Sequence, residues 1–320
     1  MVMQEELNKL RMLWGNYWSS RVLITANNFR VFDYLKLPKT SEQIAPTINA
    51  DPRAIEMLLD ALTGLGLLKK SSDRYRNTKT STRFLCTDSP YYQGNIIKHA
   101  DAIWRNWTEL DEVIKSGKPA RKFYDQEAFI RGMHDISKIK AAKIIKLMKF
   151  KNVKKALDLG GGPGTYSIEM AKKGVSVTLF DLPETIHVAK KIIEETGQGL
   201  SNLNFIEGDF LIDDIGADYD LIFISQILHA FSAKDNIKIL KKSANALNKS
   251  GRLTIQEFII DRTRTIPTKS ALFSINMLVN TEGGRCYSSH EIKKWLYDAG
   301  LRNFTEAIFE DCLLLTGAFS

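Results

Sequence analysis

Residues Lys154 to Asp181 read KKALDLGGGPGTYSIEMAKKGVSVTLFD, and this stretch decides the architecture of the chain. An apolar strand with Ala156, Leu157 and Leu159 runs into a glycine cluster. A helix follows, then a β-branched strand that ends in Asp181. Strand, turn, helix and strand make a βαβ unit, the building block of a parallel sheet. Gly160, Gly162 and Gly164 permit a sharp turn and let a ligand lie against the main chain, with no Cβ in the way. Asp181 closes the second strand near the ~20-residue spacing from which such a unit offers a carboxylate to a ribose. Together these features predict a cofactor that contains a nucleoside.

The spacing excludes a dinucleotide fingerprint. G-x-G-x-x-G counted from Gly160 needs glycine where Thr165 stands, and counted from Gly162 it needs glycine where Ser167 stands. The chain has instead G-x-G-x-G, two residues after Asp158. This resembles the first motif of class I S-adenosylmethionine (SAM) methyltransferases, whose glycine loop passes the methionine end of the cofactor. Plain turns of α/β sheets share such glycines, so the rest of the chain has to agree.

At 320 residues the chain exceeds the usual single domain, and two domains are expected. Its 44% hydrophobic and 26% charged residues are those of an ordinary globular protein. No apolar run approaches the ~18 residues of a membrane span. The start, MVMQEELNKLRM, lacks the apolar core of a signal peptide, so a cytoplasmic protein is expected. Cys86, Cys286 and Cys312 are too far apart for a disulfide framework or a zinc site, and no metal is expected. The net charge of +8 raises nucleic acid as a partner. Much of the excess sits on Lys138, Lys140, Lys143, Lys146, Lys149, Lys151, Lys154 and Lys155. These read as the wet face of a helix whose buried side is Ile136, Ile139, Ile144, Ile145, Leu147 and Met148. The run lacks aromatic interleaving of the kind that stacks bases, so nucleic acid is not expected as a partner, and with no apolar span neither is a membrane.

Residues 1–90 are predicted to be helical with a closing hairpin. PRAIEMLLDALTGLGLL (Pro52 to Leu68) is a periodic helix with Asp51 as N-cap and Pro52 at its first position. KKSSDRYRNTKTSTRFL then gives two short strands about a turn at Ser72-Asp73. Three helices and a hairpin make a winged helix, by itself a DNA-binding signal. Residues 91–150 read as a helical connecting region, with Trp104, Trp107, Leu110, Val113 and Ile114 on one helical face. Residues 151–320 are expected to form a SAM-binding catalytic domain. After its first two strands come Leu203 to Glu207, Asp220 to Ser225 and Arg252 to Ile260. Phe304 to Phe309 and Leu313 to Phe319 are too close for a helical crossover and should pair as an antiparallel hairpin. The predicted fold is α/β: a seven-stranded, Rossmann-like class I methyltransferase sheet with a terminal hairpin, behind a mainly α-helical N-terminal domain.

The runs ALDLGGGPG, TLFDLPE, IEGDF, ISQILHAFS, GRLTIQEF, NMLVNTEGGR and WLYDAGL are similar to the O-methyltransferases of the acetylserotonin, caffeate and bacterial polyketide-tailoring type. NNFRVFDYL, SEQIA, DPRAIEMLLDALTGLGLL and DRYRNTKTSTRFL resemble that family's winged-helix dimerisation domain. The likeness covers nearly the whole chain in the right order. It implies that the winged helix builds a homodimer and leaves DNA alone. It also implies that the first helix, with Trp14, Tyr17 and Trp18, packs into the partner subunit.

The resemblance assigns roles to particular residues. His229, in Leu228-His229-Ala230-Phe231, stands at the family's catalytic histidine. An imidazole with a pKa near 6.5 suits removal of a phenolic proton at neutral pH. Glu257 matches the first acid that flanks that histidine. The second acid falls at Cys286, where glutamate is replaced, and this leaves room for a carbon or nitrogen acceptor. For the cofactor, Asp158, Gly160, Gly162 and Gly164 cover the methionine end, Asp181 with Leu182 the ribose, and Asp209 with Phe210 the adenine. Ser225 stands where plant members have lysine. Trp104, Trp107, Phe273, Asn276, Met277 and Thr281 would line an apolar pocket for a small-molecule acceptor. The expected activity is SAM-dependent methylation of a small aromatic or conjugated acceptor, at a hydroxyl oxygen. The alternatives are C- or N-methylation on the same scaffold, for instance of a tetrapyrrole-like molecule, and a SAM-binding winged-helix regulator. A nucleic-acid amino-methylating enzyme would show D/N-P-P-Y/F/W after the fourth strand, where this chain has SQILHAF.

Overall fold

Asp51 starts the helix Pro52–Gly64 as its sequence demands, its carboxylate accepting the Ala54 amide at 2.8 Å. Ile55, Leu59 and Leu62 recur at helical spacing and are buried with Ala26, Phe32, Leu35 and Ile44. The helix ends earlier than its periodicity suggests. Leu65 caps it, Gly66 takes a left-handed conformation, and Leu68 enters strand β1 (Leu68–Ser71). Strand β2 (Arg74–Asn77) pairs antiparallel with β1 across the two-residue turn Ser72-Asp73. The stretch after β2 differs from expectation. Lys79–Phe84 is helical, because the Thr78 hydroxyl accepts the Ser81 amide and starts a new turn.

The computed structural model describes residues 2–197 and 199–320. They fall into two units that divide between Asp101 and Ala102. In the first unit the chain opens with helices Val2–Gly15 and Tyr17–Asn28, separate where one helix was expected. Leu10, Leu13, Trp14, Tyr17 and Trp18 are all more than half exposed.

The second unit contains a seven-stranded sheet. Its strands are β3 (Lys155–Leu159), β4 (Ser176–Asp181), β5 (Leu203–Glu207), β6 (Tyr219–Ser225), β7 (Leu247–Phe258), β8 (Asn303–Phe309) and β9 (Cys312–Ala318). The spatial order is β5-β4-β3-β6-β7-β9-β8. The first five strands are mutually parallel, and β9 runs antiparallel to both β7 and β8. Leu157, Leu159, Ile222, Ile224, Leu253 and Ile255 bury one face of the sheet. Ala156, Leu221 and Phe223 bury the other under Ile144, Ile145 and Met148. The near-continuous apolar strands are those of a sheet covered on both sides.

Two helical readings of the sequence need correction. Trp104 and Trp107 lie on Gly94–Trp107, whereas Val113 and Ile114 lie on a separate helix, Leu110–Ser116. The chain turns at Thr108-Glu109, so Val113 is buried while Ile114 is exposed. Likewise the lysine-rich stretch is two helices, Gln126–Ser137 and Ala141–Leu147, broken at residues 138–140. The break shifts the helical phase. Ile144, Ile145 and Met148 are buried as expected, but Ile136, Ile139 and Leu147 are exposed.

Candidate active site

The sheet order reverses between β3 and β6, and in open α/β sheets ligands bind beyond the carboxyl ends of the strands at such a point. Every cofactor residue expected from the sequence lies there. Gly160 follows β3 with φ of +68°, and a Cβ on it would lie 2.5 Å from Ile227 Cδ1 and 3.4 Å from Phe210 Cε1. The turn therefore packs against the segments that follow β5 and β6, and only glycine fits. Phe210 is buried, edge-on to Phe231 with ring centres 5.5 Å apart. Lys242 holds its loop, donating to the carbonyls of Phe210 and Asp213 at 2.8 Å each.

Three carboxylates line this cradle. Asp181, at the end of β4, accepts the Gly162 amide on Oδ2 and the Leu182 amide on Oδ1, each at 2.8 Å. Burial raises its pKa, and those two amides work against the rise. Asp209 accepts the Leu211 amide at 2.9 Å, and its own amide donates to Asp213 at 2.7 Å, which fixes the loop after β5. Asp158 is wholly buried. The Ser167 hydroxyl donates to its Oδ2 at 2.6 Å, while Oδ1 has no partner. Burial pushes Asp158 up to about 7, helped by the charge of Asp181 and opposed by the Ser167 hydrogen bond.

His229 lies just beyond β6, in the short 3₁₀ turn Leu228–Ala230. Its Nδ1 is 2.9 Å from Glu257 Oε2, and its backbone amide donates to Glu257 Oε1 at 3.3 Å. Ser232, not His229, caps the following helix, by accepting the Asp235 amide. The His229 ring packs against Phe258 and Phe273, with centres 5.6 and 5.1 Å away. Gly283 and Gly284 lie on this segment. A Cβ at Gly284 would collide with the His229 carbonyl oxygen, and one at Gly283 would lie 2.9 Å from Ser232 Cβ. Cys286, where the family's second acid was expected, is a buried thiol. Burial pushes it up to about 11, opposed by the Ser274 hydroxyl and reinforced by the Glu257 charge.

The residues expected to meet an acceptor are partly joined. Asn276 Oδ1 accepts Trp107 Nε1–H at 2.8 Å and Asn280 Nδ2–H at 3.1 Å. With its oxygen engaged twice, Asn276 presents its NH₂ as a donor. Phe273 touches His229, and Met277 is buried on the same helix, Thr268–Asn280. Trp104 is half-buried one turn before Trp107. The Thr281 hydroxyl donates to the Met277 carbonyl and accepts the Gly284 amide, a task in holding the glycine pair.

Three site residues escaped the sequence reading. Ser167 counted only as an absent glycine, yet its hydroxyl holds Asp158. Tyr124 packs on Arg121 and Phe129 within range of the Asp181 charge; the aromatic run before Asp125 is its only trace in the sequence. Gln226 follows Ser225 with φ of +58°, and its buried Nε2 has no partner. Ser225 itself donates to Gln256 Oε1 at 3.1 Å. A left-handed glutamine has no sequence signature.

Comparison with known proteins assigns the chain to a family. The O-methyltransferase domain family matches residues 115–302, and the O-methyltransferase dimerisation domain matches residues 12–87. The 3-hydroxy-5-methyl-1-naphthoate 3-O-methyltransferase of Streptomyces sahachiroi is 29% identical over 298 residues, 88% of this chain and 86% of that protein. The S-adenosyl-L-methionine-dependent methyl transferase PigF of Serratia sp. is 28% identical over 308 residues, 90% of this chain and 88% of its own. The solved structure of an O-methyltransferase family protein from Burkholderia thailandensis superposes with a TM-score of 0.88 at 30% identity, covering 98% of both chains. With its motifs, its strand order and both domain matches in agreement, the chain belongs to the O-methyltransferase family.

Proposed function

We propose that this enzyme methylates a hydroxyl of a small aromatic or conjugated molecule, with His229 as the general base. The observation that carries this reading is the His229–Glu257 pair. A carboxylate only accepts, so Glu257 keeps the imidazole proton on Nδ1 and leaves the Nε2 lone pair free to take a proton. Proton transfer to Nε2 creates an imidazolium, which the adjacent carboxylate stabilises. Phe258 and Phe273 reduce the water around the ring, so this attraction is weakly screened. Phenols have a pKa near 10, and general-base help is worth roughly 10²–10⁴ in rate.

The cradle fits SAM. Asp158 offers an unpartnered buried oxygen suited to a cation, and Asp181 retains lone pairs beyond its two amide bonds for ribose hydroxyls. Asp209 and Phe210 suit an adenine amine and ring. SAM, when bound, supplies a methyl group already activated on a sulfonium. The chain must then align the acceptor, through Asn276 and the Trp104, Trp107 and Phe273 rings, and accept its proton. The PigF relative is named for dependence on SAM, and the Streptomyces relative for an aromatic hydroxyl acceptor.

C- or N-methylation is the second reading, and Cys286 is what favours it, since a neutral thiol gives His229 no second carboxylate. We further propose a homodimer built on the exposed apolar residues of the first two helices. The deciding experiment is transfer of labelled methyl from SAM to a panel of phenols, quinols and tetrapyrroles by wild type and His229→Ala. Methylated oxygen, lost in the variant, supports the proposal. Methylated carbon or nitrogen, unaffected by the variant, overturns it.

A further inference from the structure

Lys140 is a half-buried cation in the break between the helices Gln126–Ser137 and Ala141–Leu147, and among the described residues it makes no ion pair. Burial alone would lower its pKa, but Cys312, Tyr166 and Asp311 turn the shift upward, so it is an ammonium at neutral pH. It donates to Cys312 Sγ at 3.3 Å, its one side-chain hydrogen bond among the described residues. The Gln256 Nε2 donates to the same sulfur at 3.6 Å. A thiol sulfur is a weak acceptor, and burial raises the Cys312 pKa, so the thiol brings no negative charge. Asp311, the neighbouring acid, is committed to Lys269 and accepts the Cys312 thiol at 3.5 Å.

This cluster stands at the carboxyl ends of β6 and β7, as His229 and Glu257 do. Gln256 directly precedes Glu257 and accepts the hydroxyl of Ser225, the last residue of β6, at 3.1 Å. Cys312 opens β9 opposite Phe258, so their Cα atoms are ~5 Å apart. Phe258 is the ring that packs against His229. The ammonium therefore lies beside the aromatic wall of the histidine, on the acceptor side of the site. The glycine turn follows β3, which is two strands from β7 and three from β9, or ~10–14 Å at ~4.8 Å per strand. That separation favours the acceptor over the cofactor's own carboxylate as the partner of Lys140. Other donors here are free as well. Gln226, whose backbone amide donates to the Gln256 carbonyl at 2.8 Å, has its buried Nε2 unpartnered among the described residues, and Asn276 presents its NH₂.

A charge taken out of water is costly unless it is paired. A purely structural lysine would meet that need with a carboxylate of its own chain, and here Asp311 is turned to Lys269 instead. We propose that Lys140 is the counter-ion of a carboxylate on the acceptor, so that the substrate is an aromatic hydroxy acid and not a neutral phenol. The inference rests on the functional reading above, in which the acceptor hydroxyl faces His229. Lys140 then holds the acceptor at a point away from the reacting oxygen. It selects and orients the acceptor, and takes no part in the transfer of the methyl group or the proton.

The test supplies the full chain and SAM with hydroxybenzoates, hydroxynaphthoates and hydroxycinnamates, each beside its carboxamide. Wild type should prefer the acids. K140M should lower kcat/KM for the acids by about 10–150-fold, mostly through KM, and leave the amides within about twofold. Comparing the acid-to-amide ratio between proteins cancels the intrinsic reactivity of the phenols. K140R should retain much of the preference, which a role in packing alone does not require, and K140Q serves if K140M does not fold. An acid-to-amide ratio that is the same in K140M and wild type overturns the inference, as does a wild type without preference for the acids. So does a calorimetric loss of SAM affinity in K140M that accounts for the loss of rate, which would give the lysine to the cofactor's carboxylate. Methylation of neutral phenols alone, lost in His229→Ala, would sink this inference and leave the functional reading standing. A wild type that does not bind SAM would sink both.

Discussion

Glu257 holds His229 at two points, its Oε2 at the ring Nδ1 and its Oε1 at the backbone amide. One carboxylate at the end of β7 thereby sets both the position of the turn after β6 and the tautomer of its histidine. Removing the charge in Glu257→Gln should cost a charge-assisted hydrogen bond, about 1.5–3 kcal/mol of transition-state stabilisation, or roughly 10–150-fold in kcat. Titration calorimetry should show SAM affinity nearly unchanged. A lost cofactor affinity would instead mean that the turn had collapsed.

His229→Ala should lower kcat by about 10²–10⁴ toward a phenolic acceptor. The residual rate should climb with pH as the acceptor ionises without help. A pH-independent residual rate would count against a base acting on the acceptor.

Asp181→Ala should weaken SAM binding by about 10–150-fold through loss of hydrogen bonds to a charged acceptor. The variant should also leave the Gly162 and Leu182 amides unpaired, so its melting temperature should fall. Calorimetry showing wild-type affinity would place the ribose elsewhere.

Asp158 makes the stability of the cofactor-free protein depend on pH. Its folded pKa is raised from 3.8 to about 7, so the folded state holds a proton that the unfolded state gives up. This contribution is fully present below the unfolded value and is lost as pH rises through about 7. It is worth on the order of a few kcal/mol. Melting temperature should fall from pH 5 to pH 8, and Asp158→Asn should flatten that slope. An identical slope in the variant would assign the proton to another group.

Cys286, a neutral buried thiol, should resist alkylation in the native protein. Cys286→Ala should leave kcat close to wild type and cost about 1 kcal/mol of stability for the small cavity. A large loss of kcat would give the thiol a part in the chemistry.

Deleting residues 1–20 removes Leu10, Leu13, Trp14, Tyr17 and Trp18, exposed apolar side chains that are unusual on a lone monomer. Light scattering should report monomers or aggregates where the full chain gives dimers. A stable dimer after the deletion would place the interface elsewhere.

The sequence by itself determined the sheet, its terminal hairpin and the cradle at its carboxyl edge. Those depend on local rules: glycine where a side chain has no room, β-branched runs for strands, Asp51 and Pro52 to start a helix. The positions of Asp181 and His229 were legible because strand ends fix where a side chain can go, whereas Asp158, Asp209 and Glu257 were named by the family resemblance. Only the tertiary structure decided how helices divide and what their surfaces meet. The breaks at residues 138–140 and at Thr108-Glu109 rotate the following helix and expose Ile139, Leu147 and Ile114, against the wheel drawn for an unbroken helix. Ser167, Gln226 and the second grip of Glu257 on the His229 amide were likewise invisible. The Ser167 and His229 contacts depend on which groups arrive within about 3 Å of Asp158 and Glu257, and the unpartnered Gln226 amide on what does not arrive; no local pattern encodes either.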